Sequence, residues 1–321
     1  MAASRAAIPN TRLADLREMR GGDLDWILTE QGTYWRKRFR WDFDGSRDII
    51  RRFLDTRRLQ GYALVAGDRP VGYCYFIPED GKALVGDLFL AEEFRDSANE
   101  AALLTPTLRA AAVYPGVRRI EGQLLSLSTE LPPQALFSRP VRDYARLYMV
   151  NDRLGGPQMV PRRAGVRVSR WAPEHLESTA GLIAEAYFGH VDSEINDQYR
   201  SLTGARRFLL NTTQHTGCGV FLSRASVAAW PRDRYRLSGV CLASGVGSGA
   251  GHITQLCVSS GFRGMGLGRE LLSRSLTAIR SLGLDAVSLT VTAQNTTAVR
   301  LYESMGFRVW RRFSAFVWEA D

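Results

Sequence analysis

The stretch from His252 to Glu270, HITQLCVSSGFRGMGLGRE, decides how this chain is read. Residues 252–258 are strand-like, residues 259–268 form a glycine-rich turn, and residues 270–282 carry Leu271, Leu272, Leu276, Ile279 and Leu282 at helical spacing before Gly283 at the C-cap position. The pattern is strand, glycine loop, helix. Glycines at 264, 266 and 268 let the backbone turn its amides toward one small volume at a helix N-terminus, where unsatisfied N–H groups and the helix dipole favour an anion such as a pyrophosphate. Arg263 and Arg269 add charge. A purely structural turn before a helix is the competing reading. A dinucleotide fingerprint fails, because position 269 is arginine and Asp285 opens the next strand instead of closing it. The lysine loop of nucleotide triphosphatases is also absent from the sequence.

Outward from this segment the chain repeats itself. PVGYCYFIP (70–78), a turn, and ALVGDLFLAEEFR (83–95) are echoed by LSGVCLASG (237–245), a turn, and HITQLCVSSGFR (252–263). Each half continues with a helix, a strand (119–127; 286–292), a short helix (133–138; 296–305) and a closing aromatic strand (145–150; 314–318). Upstream in the second half, residues 173–187 and 195–211 read as helices, and residues 227–230 with 235–246 as a hairpin. Between the halves, NDRLGGPQMVPRRAG (151–165) is rich in Gly, Pro and Arg without hydrophobic period, as a linker is. Two α+β units are therefore expected, 1–152 and 166–321, joined by a linker at 153–165.

The 321 residues are 45% hydrophobic and 23% charged, the composition of a globular protein long enough for two cores. No apolar run approaches the ~20 residues of a membrane span, and residues 1–10 lack the apolar core of a secretory signal, so no membrane partner and a cytoplasmic location are expected. Cys74, Cys218, Cys241 and Cys257 lie in apolar runs without metal-ligand spacing, so reduced core thiols and no metal are expected. Of 42 basic residues 40 are arginine; residues 1–150 carry a net charge of +2 and residues 151–321 of +7. A basic second half suits an anionic ligand. Its arginines are scattered rather than interleaved with aromatics, so no nucleic-acid partner is expected.

At Arg263, Gly264, Met265, Gly266, Leu267 and Gly268, and again at Asn295, Ala298, Leu301, Tyr302, Gly306 and Phe307, the sequence resembles the GNAT acetyltransferase superfamily. The resemblance covers residues 166–321 well and residues 13–150 in outline. It implies an α/β (α+β) fold of two tandem mixed β-sheet domains flanked by helices. It also implies acetyl-CoA as co-substrate, its pyrophosphate on the loop from Arg263 through Gly268 to Arg269. The arm would run along a splayed strand at Leu256, Cys257 and Val258, with Asn295 nearby. In the first copy the matching turn reads AEEFRDSANEAALL; glutamates and missing glycines should repel a pyrophosphate, and Phe137 stands near the place of Tyr302. That copy is expected to bind no cofactor.

Acetyl transfer to an amine needs a neutral amine and a proton for the leaving thiolate. The resemblance makes Tyr302 the acid; otherwise it is a core tyrosine. His252, at the head of the strand, reads either as the base or as a hydrogen-bonded strand-end histidine. Strand alternation would put it on one face with Thr254 and Leu256 unless a bulge intervenes. His175, His190 and His215 read as surface residues. The expected activity is acetyl transfer to a small-molecule or peptide amine. An acyl-CoA sensor without turnover is the alternative, and the tandem architecture, similar to that of mycothiol synthases, makes a small amino-sugar thiol another acceptor. The oligomeric state is left open.

Overall fold

A computed structural model describes residues 11–127, 140–154, 165–215, 219–232, 236–247 and 249–320. The strands are β1 (Thr11–Asp15), β2 (Gln60–Ala66), β3 (Arg69–Glu79), β4 (Lys82–Leu90), β5 (Arg119–Gln123), β6 (Arg142–Asn151), β7 (Val166–Arg170), β8 (Val220–Phe221), β9 (Val227–Pro231), β10 (Gly239–Gly247), β11 (Ala250–Val258), β12 (Ala286–Thr292) and β13 (Arg308–Glu319). The helices are α1 (Asp25–Phe39), α2 (Asp44–Asp55), α3 (Ser97–Ala112), α4 (Leu176–Ala186), α5 (Val191–Ile195), α6 (Leu202–Gln214), α7 (Leu267–Ser281) and α8 (Thr296–Ser304). No helix among the described residues is long and apolar enough to cross a membrane. The mixed α/β architecture expected from the sequence is present, with helices flanking mixed sheets.

The chain divides into two compact units that are not its two continuous halves. The first holds the described residues of Met1–Tyr34, Ser46–Tyr144 and Phe313–Asp321; the second holds Trp35–Gly45 and Ala145–Arg312. In the first unit the strands run β1-β2-β3-β4-β5 and end with the last residues of β13. In the second they run β7-β9-β10-β11-β12 and end with β6, while β8 pairs with β10. The two orders correspond strand for strand, except that each sheet is completed by the closing strand of the other repeat. Residues 145–151 therefore belong with 166–312, although the sequence seam places them with the first copy. The expected short helix at 133–138, Phe137, Cys218 and most of the linker lie outside the described residues.

The repeat is conserved in its irregularities. In β4, Tyr75 opposes Asp87 and Phe76 opposes Val85, which leaves Gly86 as an extra residue; in β11, Leu242 opposes Gln255 and Ala243 opposes Ile253, which leaves Thr254 extra. Each bulged strand pairs in parallel with its neighbour only before the bulge, over Lys82–Val85 and over Ala250–Ile253. Beyond that point the strands part. The second unit then packs α7 on one sheet face through Leu271, Leu272 and Ile279, and α4 and α6 on the other through Ile183, Ala205 and Leu209.

The segment expected to be one helix over 195–211 is broken. Asn196 takes the Gln198 amide and Ser201 takes the Gly204 amide, so side-chain caps start a 3-10 turn (Asp197–Arg200) and then α6. Asx and serine caps compete with helix continuation because the short side chain offers the backbone a nearer partner.

Within the first unit, Asp87 is buried at the place of Gln255 in the repeat. Gln31 Nε2 donates to its Oδ2 at 2.5 Å, the Leu88 amide donates to its Oδ1 at 2.8 Å, and Tyr73 donates to Gln31. Burial pushes its carboxyl up to about 7, against the backbone and Gln31 hydrogen bonds that lower it. A carboxyl raised on folding stabilises fully below its unfolded value and loses that contribution as pH rises to its folded one. Asp87 should therefore cost stability progressively between about pH 4 and pH 7. Asp87→Asn, which Gln31 can accommodate by turning its amide over, should raise the melting temperature at pH 8 and change it little at pH 4. An equal shift at both values in thermal unfolding would show that ionisation is not the cause.

Candidate functional site

A cavity of about 490 Å³ opens in the second unit between the end of α4, the parted half of β11, the glycine loop, the N-terminus of α7 and one face of α8. Of the cofactor residues expected from sequence, Leu256, Cys257, Val258, Arg263, Gly264, Gly266, Leu267, Gly268, Arg269 and Asn295 line it, together with Tyr302. Met265 does not; its side chain is exposed on the loop. The cavity has two chemically different ends.

At one end lies the glycine loop. Gly264 and Gly266 have φ of 70° and 84°, left-handed values that glycine adopts without steric cost. A Cβ at Gly264 would meet nothing within 4 Å among the described residues. Gly266 is the N-cap of α7, and no side chain among the described residues caps this helix. Its first amides are left for an external acceptor. The first unit differs at this point: Asp96 caps α3, its Oδ1 accepting the Asn99 amide at 2.9 Å. There the chain's own carboxylate holds the place of an anion. The bulge residue is covered as well, since a Cβ on Gly86 would lie 2.2 Å from the Tyr75 ring.

The two arginines at the loop are committed. Arg263 donates through Nη2 to the Ala186 carbonyl at 2.7 Å and through Nε to the Val258 carbonyl at 3.1 Å, which ties the loop to the C-terminus of α4. Arg269 donates through Nη2 to Ser304 Oγ at 2.6 Å, at the far end of α8. Both fix the walls while leaving positive charge at this end of the cavity.

At the other end the groups are aromatic and titratable. Tyr302, on α8, is 8% exposed and packs on Phe307 with ring centroids 5.9 Å apart. Burial pushes its phenol well above the ordinary tyrosine range, and Asp192 adds to the effect while Arg146 opposes it. Asp192 Oδ1 accepts from Arg146 Nη1 at 2.7 Å and from the Thr292 hydroxyl. Asn295 caps α8, its Oδ1 taking the Ala298 amide at 3.2 Å. Tyr187 donates to Gln255 Oε1 at 3.4 Å, whereas Gln255 Nε2 and Thr254 Oγ1 are buried without a partner among the described residues. Neither side chain lines the cavity; Gln255 stands behind the Tyr187 wall. Among the described residues no group of three or more His, Cys, Asp or Glu side chains could hold a metal. Cys241 and Cys257 are free and buried, their thiols pushed up to about 12 by burial, so they are not nucleophiles.

His252 is not brought to this cavity. The bulge at Thr254 shifts the alternation, so Ile253 and Leu256 point into the same α7-side core and His252 faces the other way. Its expected place beside Leu256 is thereby corrected. The ring lies against Trp41 and Tyr148, with Nδ1 2.9 Å from Ser288 Oγ, and burial pushes its pKa down to about 4. A ring neutral when folded but protonated near 6.5 when unfolded loses stability as pH falls between those values. His252→Ala should cost about 2–4 kcal/mol of stability at pH 7.5, read as a lower melting temperature. That deficit should shrink toward pH 5, and the pH dependence of turnover should stay unchanged. A flattened turnover profile would return the ring to the chemistry.

His190 corrects the sequence reading in the other direction. Read as a surface residue, it lines the cavity in the turn between α4 and α5, its ring 5.3 Å from that of Tyr187. The spacing His190-Val191-Asp192 after a helix was the available signal, but a histidine two residues before a carboxylate is too common to single out.

Residues 197–307 match the model of the acetyltransferase (GNAT) family. A mycothiol acetyltransferase of Thermobispora bispora is 47% identical over 68 residues, which is 21% of this chain and 23% of that protein. The matched segment thus spans about a quarter of that relative. The whole chain superposes on a GCN5-related N-acetyltransferase from Sphaerobacter thermophilus with a TM-score of 0.69 at 19% identity, covering 98% and 97% of the two chains. A tandem GNAT protein from the clavulanic acid biosynthesis pathway gives 0.57 at 13% identity, with 97% and 99% covered.

Proposed function

We propose that this chain, a tandem member of the GNAT acetyltransferase superfamily, transfers an acetyl group from acetyl-CoA to an amine at a single site in its second unit. One contrast between the repeats carries the reading: α7 begins uncapped under three glycines, whereas α3 begins under the carboxylate of Asp96. Only the second copy offers its helix amides to an anion.

Acetyl-CoA would supply the activated acyl group. The loop at Gly264, Gly266 and Gly268 would hold its pyrophosphate, and the backbone of Leu256 to Val258, unpaired with β12, would hold its arm. Arg263 and Arg269 keep the loop and α8 at their spacing and add long-range attraction for the phosphates. Tyr302, held protonated by burial, would give a proton to the departing thiolate.

The acceptor is an amine. The 47% identity to a mycothiol acetyltransferase over 68 residues favours an amino-sugar thiol among the candidates. Release of free CoA from acetyl-CoA by the purified full chain, screened across small amines, peptides with free N-termini and amino-sugar thiols, tests the proposal. Turnover with at least one class is expected. Tight acetyl-CoA binding without turnover on the whole panel would favour a sensor, and absence of binding would remove the reading altogether.

A further inference from the structure

We propose that His190, oriented by Asp192, is the base that takes a proton from the acceptor ammonium. This rests on the acetyl-transfer reading above and adds to it the residue that the transfer requires. An alkylammonium has a pKa near 10.4, so at neutral pH it must lose a proton before its nitrogen can attack.

His190 is the one histidine that lines the cavity among the described residues, and its ring packs on Tyr187, whose phenol interacts with Tyr302 and Asp192. Its side chain is 27% exposed, enough to pass a proton on to solvent. Nδ1 lies 3.5 Å from Asp192 Oδ2, and Asp192 is held in turn by Arg146 and Thr292. Nε2 lies 3.4 Å from Asn295 Nδ2. Because Asn295 Oδ1 is committed to the Ala298 amide, the group presented to Nε2 is a donor. A donor there is satisfied when Nε2 carries a lone pair and the ring hydrogen sits on Nδ1, directed at the carboxylate. The Asp192 amide, 3.1 Å from Nδ1, favours the opposite tautomer, so the two sets of partners divide the ring between its two neutral forms. Once protonated, the imidazolium keeps Asp192 as its counter-ion.

The charged and titratable groups around the ring are Asp192 from α5, Arg146 from β6, Tyr187 from the end of α4 and Tyr302 from α8, with Arg263 and Arg269 farther along the cavity wall. Both tyrosines stay neutral, since burial raises them well above the ordinary range.

The protons balance as follows. The ammonium gives one proton to His190 Nε2, which releases it to solvent. The free nitrogen attacks the thioester carbon, the C–N bond forms and the C–S bond breaks as Tyr302 gives its proton to the sulfur. The amide nitrogen then returns its second proton to Tyr302. The products are the acetylated amine, CoA thiol and one solvent proton.

His190 also caps α5 through Nδ1, so His190→Asn is the informative variant: asparagine caps a helix as well and cannot take the proton. With an acceptor that the wild type acetylates, His190→Asn should lower kcat/KM for the amine about 100-fold. The rising acid limb of the pH profile should flatten, and acetyl-CoA affinity should stay within about threefold. Added imidazole should restore part of the turnover of His190→Ala. Wild-type-like turnover and pH profile in His190→Asn would overturn the proposal, as would loss of turnover without a change in the limb or any imidazole rescue. Failure of the acetyl-transfer reading looks different, since the wild type would then release no CoA with any amine.

Discussion

Gly266→Glu is expected to weaken acetyl-CoA binding by more than about 100-fold while the second unit stays folded. At φ 84° any side chain is strained in the left-handed region, at a cost of roughly 1–2 kcal/mol. The new carboxylate recovers part of that cost, because a negative charge in the first turn of α7 interacts favourably with the helix dipole by about 0.3–1 kcal/mol. The same charge then occupies the place that the pyrophosphate needs. In effect the substitution would give α7 what α3 already has in Asp96. Gly266→Ala separates the two contributions: it keeps the strain without the charge and should weaken binding far less. Calorimetric titration of the full chain with acetyl-CoA, next to thermal unfolding, measures both. Binding within threefold of wild type in the glutamate variant would mean that the phosphates lie elsewhere.

Much of this site was legible because it is local. Strand, loop and helix from His252 to Ser281 are set by hydrophobic period, by glycines needed at positive φ and by Gly283 at the helix end, all readable within thirty residues. What the sequence hid depends on partners far along the chain. A bulge at Thr254 is one residue inserted against β10, and alternation alone cannot show it; it moved His252 off the face assigned to it. The exchange of β6 and β13 is a second case. Both closing strands carry aromatic residues, so their composition does not say which sheet each one completes. His190 is a third: its value comes from Asn295, 105 residues away, and from Arg146, which holds its neighbouring aspartate. Arg263 was read as a charge for phosphate, yet its guanidinium caps the carbonyl of Ala186. A cation beside a helix C-terminus and a cation beside an anion site look alike in sequence.

Tyr302→Phe is expected to lower turnover by about 10- to 1000-fold, the range of a lost general acid, with acetyl-CoA affinity nearly unchanged. The substitution removes one oxygen and keeps the ring, so the contact with Phe307 and the packing beside Met305 and Leu272 persist. Stability should therefore change little, which separates a chemical effect from a structural one. Burial makes this hydroxyl suitable as an acid in the ground state, since it keeps the proton on oxygen well above the ordinary tyrosine range. No falling limb from its ionisation should then appear in the turnover profile below pH 10. The anion left after donation would be costly in the same buried place, so the proton must be replaced at once, and the acetylated nitrogen carries one to spare. Wild-type turnover should then fall as the product nitrogen becomes less acidic, whereas Tyr302→Phe should lack that dependence, because only the wild type uses this return path. Steady-state kinetics with two amines of different basicity would measure it. Equal turnover for wild type and Tyr302→Phe would show that the thiolate leaves without this proton, and the tyrosine would then be only a wall of the cavity.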